Sequence, residues 1–409
     1  MDPVPERVLH LEMRQPDGRS FDASIVIDTT VRGLSRGGIG LSSDRDSTLL
    51  ERVSRARTLQ HGLLGVPYGG AAASIRSPIG VDSRLRGTLL DAFARAAGPM
   101  VASRAFVPDA QVGMDESEVH KMVTQCGLKT SRRERIDDIG DYAGLTVALA
   151  GIAALRKAGV RPGQATASVE GFGKVGSSAA LELHERGVKV VAVSTKDGAL
   201  FDADGLDVPE LVPLAERVGD TFVRKYSEAD RLPAGELRSL SVDLFCPCAL
   251  PGGIDAQTAS RLRCKAVVPG ATAPFKPGGE RMLEGRGVVY MPDVLASCGR
   301  VMAISLARAG FTSSRRTRFI ENRFPELVEW LEGLAKEQDT GLDETLSTYC
   351  VDRFNRMKQE CEEGVRTDGS SHSYSLYGMA EILPSWIVRS LNTRPLEEQM
   401  LPAGLVRAT

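Results

Sequence analysis

Gly171-Phe172-Gly173-Lys174-Val175-Gly176 spells G-x-G-x-x-G between a stretch that reads as a strand and one that reads as a helix. That context makes an otherwise weak motif informative. The first glycine makes the tight turn, and the second lets backbone approach a pyrophosphate. The third allows close helix–strand packing, while the helix N-terminus favours the anion. Lys174 reads either as a further phosphate partner or as a solvated residue at the helix start. A nicotinamide dinucleotide fold places an acidic residue about 20 positions on to hold the ribose 2′-OH. Here the next strand ends in Ser194-Thr195-Lys196, two hydroxyls and a cation, which leans toward NADP over NAD; Asp197 keeps the lean weak. Cys246-Pro247-Cys248 is the other spaced set of reactive types. It is C-x-C with no second pair at zinc-ligand distance, so a buried core role is expected.

These residues need elements to position them. From residue 144 the chain alternates helix and strand: GLTVALAGIAALRKAG, then ATASVEGFG, then GSSAALELHERG, then VKVVAVS. That alternation is the grammar of a doubly wound parallel sheet, and VDLFCP, CKAVVPG and GVVYMPD supply further strands. Before it, VLHLEMRQPDGRSFDASIVIDTT alternates around Pro16-Asp17-Gly18 as an antiparallel hairpin. Residues 44–63 and 82–103 have helical spacing after Ser/Thr/Asp starts. VPYGGAAASI, residues 66–75, reads as a turn built for close backbone approach. Beyond 300, VMAISLARAG, residues 322–364 and SLYGMAEILPSWIVRS read as helices. The expected fold class is α/β. Residues 1–143 with 301–409 form a discontinuous α+β domain for substrate and oligomerisation, and 144–300 form a Rossmann-type dinucleotide domain.

A chain of 409 residues is long for one core, which agrees with two domains. Net charge is −2, and no basic block or aromatic-interleaved stripe recommends nucleic acid. The seven cysteines are odd in number and sparse, as in a reducing compartment. No apolar run approaches 18 residues and the N-terminus has no apolar leader segment. The expectation is a soluble cytoplasmic protein with small polar ligands and no membrane partner.

Five segments in order carry a resemblance: VRGLSRGGIGLSSD, GLLGVPYGGAAASI, FVPDAQVGMDESEV, the stretch from VEGFGKVG to DADGLD, and PGATAPF with MPDVLASCGRVMAIS. The chain resembles the glutamate/leucine/phenylalanine/valine dehydrogenase family over most of its length. The resemblance implies a Rossmann domain beside a discontinuous substrate domain, a homo-oligomer, a small-molecule substrate and NADP or NAD as cofactor. Its chemistry is reversible oxidative deamination: a lysine of lowered pKa polarises the carbonyl, an aspartate shuttles protons and a nicotinamide takes the hydride.

This sequence departs from the family at those positions. The catalytic lysine falls on Ala72, the upstream substrate-carboxylate lysine on His61, the lysine of the Gly-Gly segment on Arg36 and the proton-shuttling aspartate on Gln111. The substrate-contacting serine falls on Ile304, with Ser305 adjacent, and the carboxamide-binding asparagines fall on Thr272 and Ser297. Residues 1–120 contain no lysine, so no shift of register restores one. Arginine cannot take the acid–base step, although Arg36 or Arg76 could clamp a carboxylate. Two readings stay open. In one, an enzyme of altered chemistry uses His61 as general acid/base with Gln111, binds substrate through Arg36, Arg76 and Ser305, and holds the cofactor through Gly171, Gly173, Lys174, Val175, Gly176, Thr195, Lys196, Thr272 and Ser297. In the other, a non-catalytic paralogue acts as a dinucleotide sensor or regulatory subunit, and His61 is a packed helix residue.

Overall fold

The computed structural model describes residues 4–14, 20–42, 47–77, 83–128 and 139–363. They fall into two compact units. The first holds the described residues before 138, Ile304–Phe311 and those from Ser347 on; the second holds 139–303 and Thr312–Leu346. Residues 312–346, expected with the first domain, group with the second unit.

The first unit runs β1 (Arg7–Arg14), β2 (Ser20–Ile27), β3 (Ser35–Ser42), α1 (Ser47–Leu64), β4 (Gly69–Arg76), α2 (Ser83–Ala102), β5 (Val107–Ala110) and α3 (Glu116–Gln125). The five strands lie in the order β1-β2-β4-β3-β5. β1 and β2 pair antiparallel from Arg7↔Ile27 to Arg14↔Ser20, as the alternation predicts; Pro16-Asp17-Gly18 lies outside the described residues. One sheet face is apolar, with Ile25, Ile27, Ile39, Ala71, Ala73 and Ile75 packed on Leu89, Phe93, Phe106, Val119 and Met122 from α2, α3 and their connections. Each such large side chain contributes roughly 1.5–3 kcal/mol on burial.

The expected turn at 66–75 is largely a strand. Gly69 begins β4, which pairs antiparallel with β2 and parallel with β3 at the centre of the sheet. Its small residues serve close packing. A Cβ on Gly69 would overlap the Thr29 carbonyl, and one on Gly70 would overlap the α1 backbone at Ser54 and Thr58. The three alanines that follow are what a twice-covered central strand requires.

The second unit begins with α4 (Ile139–Lys157), β6 (Thr166–Glu170), α5 (Lys174–Glu185), β7 (Lys189–Thr195), β8 (Gly198–Phe201), α6 (Val208–Val218), α7 (Phe222–Lys225) and β9 (Asp230–Leu232). It continues with β10 (Leu244–Pro247), α8 (Ala256–Arg261), β11 (Ala266–Val267), α9 (Gly279–Glu284), β12 (Val289–Tyr290) and α10 (Asp293–Ala296). Then come α11 (Gly299–Arg308), α12 (Ser313–Gln338) and α13 (Leu342–Glu363). The final helix expected at 375–390 lies outside the described residues.

Seven strands form the second sheet in the order β12-β11-β10-β6-β7-β8-β9. The five from β12 to β7 are parallel, and β8 and β9 add an antiparallel margin. This is the doubly wound architecture expected. Small residues bring α4 down onto its neighbours: a Cβ on Gly144 would come within 2.6 Å of the Ala179 nitrogen of α5, and one on Gly151 within 2.9 Å of Leu244 of β10.

Candidate functional site

β6 has β7 on one side and β10 on the other, so the chain order reverses at β6 and a crevice opens at the carboxyl ends of β6 and β10. The phosphate loop lies there, and its three glycines have three different reasons to be glycine. Gly171 has φ +90°, and a Cβ there would sit 2.6 Å from the Ala249 Cα. The Gly171 and Phe172 N–H groups donate to the Ser194 carbonyl at 3.0 and 2.9 Å, tying the loop to the tip of β7. Gly176 is buried, and a Cβ would overlap the Gly171 carbonyl, so it sets helix–strand spacing. Gly173 caps α5 and is exposed, with nothing within 4 Å of its Cβ direction. An open backbone at a helix N-terminus is the anion cradle a pyrophosphate needs, so the residues present fit a dinucleotide.

Lys174 is the exposed first residue of α5 and Val175 is half-buried behind it. Opposite the loop, the Cys248 N–H donates to the Glu170 carbonyl at 2.7 Å, and Gly270 N–H to the Pro247 carbonyl at 3.0 Å. A Cβ on Gly270 would come within 2.6 Å of the Cys248 sulfur and 3.0 Å of Val175. Cys248 and Gly270 therefore shape the crevice, which short-range spacing did not reveal. Burial raises the Cys246 thiol well above its usual range and holds the Cys248 thiol at about 12, so neither is a thiolate at neutral pH. Cys246 is buried in the core as expected, whereas Cys248 is only half-buried and faces the crevice. Among the described residues no cluster of His, Cys, Asp or Glu could hold a metal ion.

The tip of β7 is more balanced in charge than the sequence suggested. Thr195 Oγ1 donates to the Asp220 carbonyl and accepts from Asp197 N–H, both at 3.1 Å, so the hydroxyl is committed. Lys196 Nζ lies 3.0 Å from Asp220, and Arg224 lies 3.3 Å from Asp197. Two cations face two carboxylates, which weakens the lean toward a 2′-phosphate. Ser297 Oγ donates to the Asp293 carbonyl at 2.7 Å, while Thr272 is half-buried in the loop after β11.

In the first unit, the sheet register places Arg36 beside Gly70, and Gly38 beside both Ala72 and Asp109. Strand alternation then puts Arg36, Gly38, Ala72, Asp109 and Gln111 on one face. Gln111 lies over Gly38, where a Cβ would overlap its amide. Arg36 makes a bidentate ion pair with Asp109, Nε at 2.9 Å and Nη2 at 2.5 Å, and both residues are buried. The partner carboxylate and hydrogen bond hold the Arg36 guanidinium above its ordinary value despite burial. Ala72 is fully buried.

His61 is 1 % exposed on α1. Its Nδ1 lies 2.9 Å from the Tyr68 carbonyl. A carbonyl only accepts, so Nδ1 carries the proton and Nε2 is the acceptor. Burial first, then the Arg57 and Arg36 charges, push the imidazole down from 6.5 to about 3. At neutral pH it is an uncharged hydrogen-bond donor that joins α1 to the start of β4. Arg76 does not join Arg36: it ends β4 opposite Ser42, whereas Arg36 stands opposite Gly70. Those positions are roughly 20 Å apart along the strand, and exposed Arg76 lies 3.6 Å from Asp22 of β2. Ser305 is buried in α11, as is Ile304.

A second network holds the start of β4. Thr58 Oγ1 donates to Asp28 at 2.5 Å and accepts from Gly70 N–H at 3.0 Å, while Asp28 N–H donates to the Gly70 carbonyl at 2.9 Å. Nothing in local spacing identified Asp28, Thr58 or the pairing of Asp109, because their partners lie 30, 12 and 73 positions away.

Comparison with known proteins agrees with both units. Residues 5–127 match the profile described as Glu/Leu/Phe/Val dehydrogenase, dimerisation domain, and residues 138–320 match Glutamate/Leucine/Phenylalanine/Valine dehydrogenase. A glutamate dehydrogenase of Thermotoga maritima is 30 % identical over 315 residues, covering 73 % of this chain and 75 % of that one. An NADP(+)-dependent glutamate dehydrogenase of Pyrobaculum calidifontis is 28 % identical, covering 83 % and 81 %. The crystal structure of hetero-hexameric glutamate dehydrogenase from Thermus thermophilus shares the fold at a TM-score of 0.73 and 23 % identity, covering 89 % of this chain and 91 % of that chain. With both of its sheets, its phosphate loop and nearly its whole described length accounted for in this way, the chain belongs to the glutamate/leucine/phenylalanine/valine dehydrogenase family.

Proposed function

We propose that this chain binds NADP or NAD in the crevice of its second unit but does not carry out oxidative deamination, and serves its family as a dinucleotide sensor or regulatory subunit. The observation that carries this reading is the contrast between two faces. The phosphate loop keeps its open backbone at Gly173, while on the Arg36 face the charged groups are committed inside the fold. Family chemistry needs a group that gains and loses a proton near neutral pH. Ala72 offers none, Gln111 does not titrate, Arg36 is ion-paired with Asp109, and His61 titrates near 3. The dinucleotide, when bound, would supply hydride chemistry; Gly171, Gly173, Lys174, Val175 and Gly176 would hold its phosphates, with Thr272 and Ser297 toward the carboxamide.

The hetero-hexameric assembly named for the Thermus thermophilus protein supports a partner made of related chains. A second reading keeps hydride transfer on an altered substrate and is supported by Gln111, a polar side chain that stands over Gly38 at the position to which the resemblance assigns the family's aspartate.

Titration with NADPH and NADH, followed by nicotinamide fluorescence and thermal stability, tests the binding half. Binding at 100-fold excess over Kd should stabilise the protein by about 2.7 kcal/mol. Assays with glutamate, leucine, phenylalanine, valine and their keto acids test the other half and should give background rates. Turnover of about 1 s⁻¹ or more, an ordinary enzyme value, with any of them overturns the sensor reading.

A further inference from the structure

The loop after β11 holds a backbone conformation that its residues disfavour. Ala273 has φ +47°, in the left-handed region that suits glycine. Pro274 follows it, and a proline by sterics biases the residue before it toward extended backbone. Such a bend persists only where its surroundings over-determine it. Three hydrogen bonds do so here. The Ala273 N–H donates to the Asp293 carboxylate at 2.7 Å, from a side chain 20 positions on. The Gly252 N–H donates to the Ala273 carbonyl at 2.8 Å, and the Ile254 N–H to the Pro274 carbonyl at 3.0 Å. Of the three partners, Asp293 alone uses a side chain. Its own carbonyl accepts from the Ser297 N–H at 3.0 Å and from Ser297 Oγ at 2.7 Å. Ala271, Ala273 and Pro274 are buried, so Thr272 is the residue that the bend leaves partly open.

This loop is the wall of the crevice on the side away from β7. The Gly270 and Ala271 N–H groups both donate to the Pro247 carbonyl at 3.0 Å, at the end of β10, and Gly270 packs on Cys248 and on Val175 behind the phosphate loop. A dinucleotide lies across such a crevice, one mononucleotide half to each side of the switch point. With the adenosine ribose toward the tip of β7, the nicotinamide half lies over the ends of β10 and β11. We propose that Asp293 is a positioning residue for that half: it fixes the backbone on which Thr272 is presented and anchors the hydroxyl of Ser297. Ser297 gives its proton to the Asp293 carbonyl, so it meets a ligand as an acceptor, suited to an amide N–H. Asp293 acts through these two residues and touches no ligand itself. The inference rests on the reading that this crevice takes a dinucleotide.

The test titrates the full chain with NADPH or NADH, whichever binds more tightly, and with the matching ADP-ribose, with or without its 2′-phosphate, which is the same molecule lacking nicotinamide. Calorimetry reads both affinities, and nicotinamide fluorescence reads the intact cofactor. Asp293→Ala should weaken the intact cofactor about tenfold, the worth of one charge-assisted hydrogen bond, and leave the fragment within about twofold of wild type. The fluorescence gain on binding should fall with it. Asp293→Asn keeps an acceptor for the Ala273 N–H and should restore the cofactor to within about threefold of wild type. If Asp293→Ala fails to fold, Asp293→Glu takes its place: its carboxylate is displaced by one methylene, and a loss of at least about threefold is expected for the intact cofactor alone. If wild type binds neither cofactor nor fragment, the dinucleotide reading falls and takes this inference with it. If wild type binds both and the variant weakens both alike, or neither, the positioning role alone is overturned.

Discussion

His61 shows how burial decides what a residue can do. An unfolded chain protonates this imidazole below about 6.5, whereas the native protein resists until about 3. Unfolding therefore takes up a proton in that window, and the native state loses stability as pH falls through it, by roughly 1.4 kcal/mol per unit. Replacing His61 with Asn, which still offers an N–H toward the Tyr68 carbonyl, should flatten that slope. Urea unfolding between pH 7.5 and 5.5 measures it, and equal slopes in both proteins would show that the imidazole is accessible. The ion pair makes an opposite kind of prediction. Arg36→Ala strands a buried carboxylate and should cost about 3–5 kcal/mol. The Arg36→Ala/Asp109→Ala double variant should cost clearly less than the sum of the singles. Additivity within about 0.5 kcal/mol would mean that the two side chains do not interact. The ion pair was not legible in sequence, and for His61 the sequence left an acid/base group and a packed helix residue both open. His61 stood at a position where the resemblance suggested chemistry, and only its buried place against Tyr68 gives it a structural one.

Elements show the reverse, because here much was legible. The phosphate loop was read from six residues, and the structure gives each glycine the separate reason that the motif implies. Gly173→Val should leave the unliganded Tm within about 2 °C, since nothing lies within 4 Å of its Cβ direction, yet abolish dinucleotide binding. Gly176→Ala should do the opposite and lower the Tm by several degrees, because its Cβ overlaps the Gly171 carbonyl. Circular dichroism melts beside a fluorescence titration separate the two. If Gly173→Val still binds NADPH with unchanged affinity, the cofactor does not use this loop. The β4 segment shows where local reading stopped. Gly69, Gly70 and three alanines were expected as a turn because small residues mark close approach. The approach is real, but it is made by α1 and by the connection after β2 against a straight strand. Glycine composition reports crowding without saying which element crowds.

At the scale of the whole chain, each unit has its own sheet and its own apolar core. A ligand of the second unit should therefore protect that unit first. Hydrogen exchange with saturating NADPH should slow amides at 171–177, 194–197 and 270–273 and leave β3, β4 and β5 unchanged. Equal protection of the strands of the first unit would place the dinucleotide elsewhere. Among the described residues no helix is long and apolar enough to cross a membrane. Residues beyond 300 divide between the two units. The chain leaves the second unit at 304, re-enters it at 312 and leaves again at 347, with two of these crossings inside helices α11 and α13. A helical period records the face a helix buries, not which core receives it.

The amino-acid sequence by itself determined the α/β class, the Rossmann-type unit, the phosphate loop and the absence of lysine before residue 121. All of these are local: a period, a six-residue motif or a missing residue type survives any arrangement in space. Tertiary structure alone decided that one edge of Arg36 is held by Asp109, that Arg76 stands far along the strand from it, that Thr195 is committed to Asp220 and Asp197 and that His61 stays neutral. Those facts depend on partners brought together from distant positions, and on how much water the fold leaves around a charge. A one-dimensional chain carries neither the distance nor the dielectric.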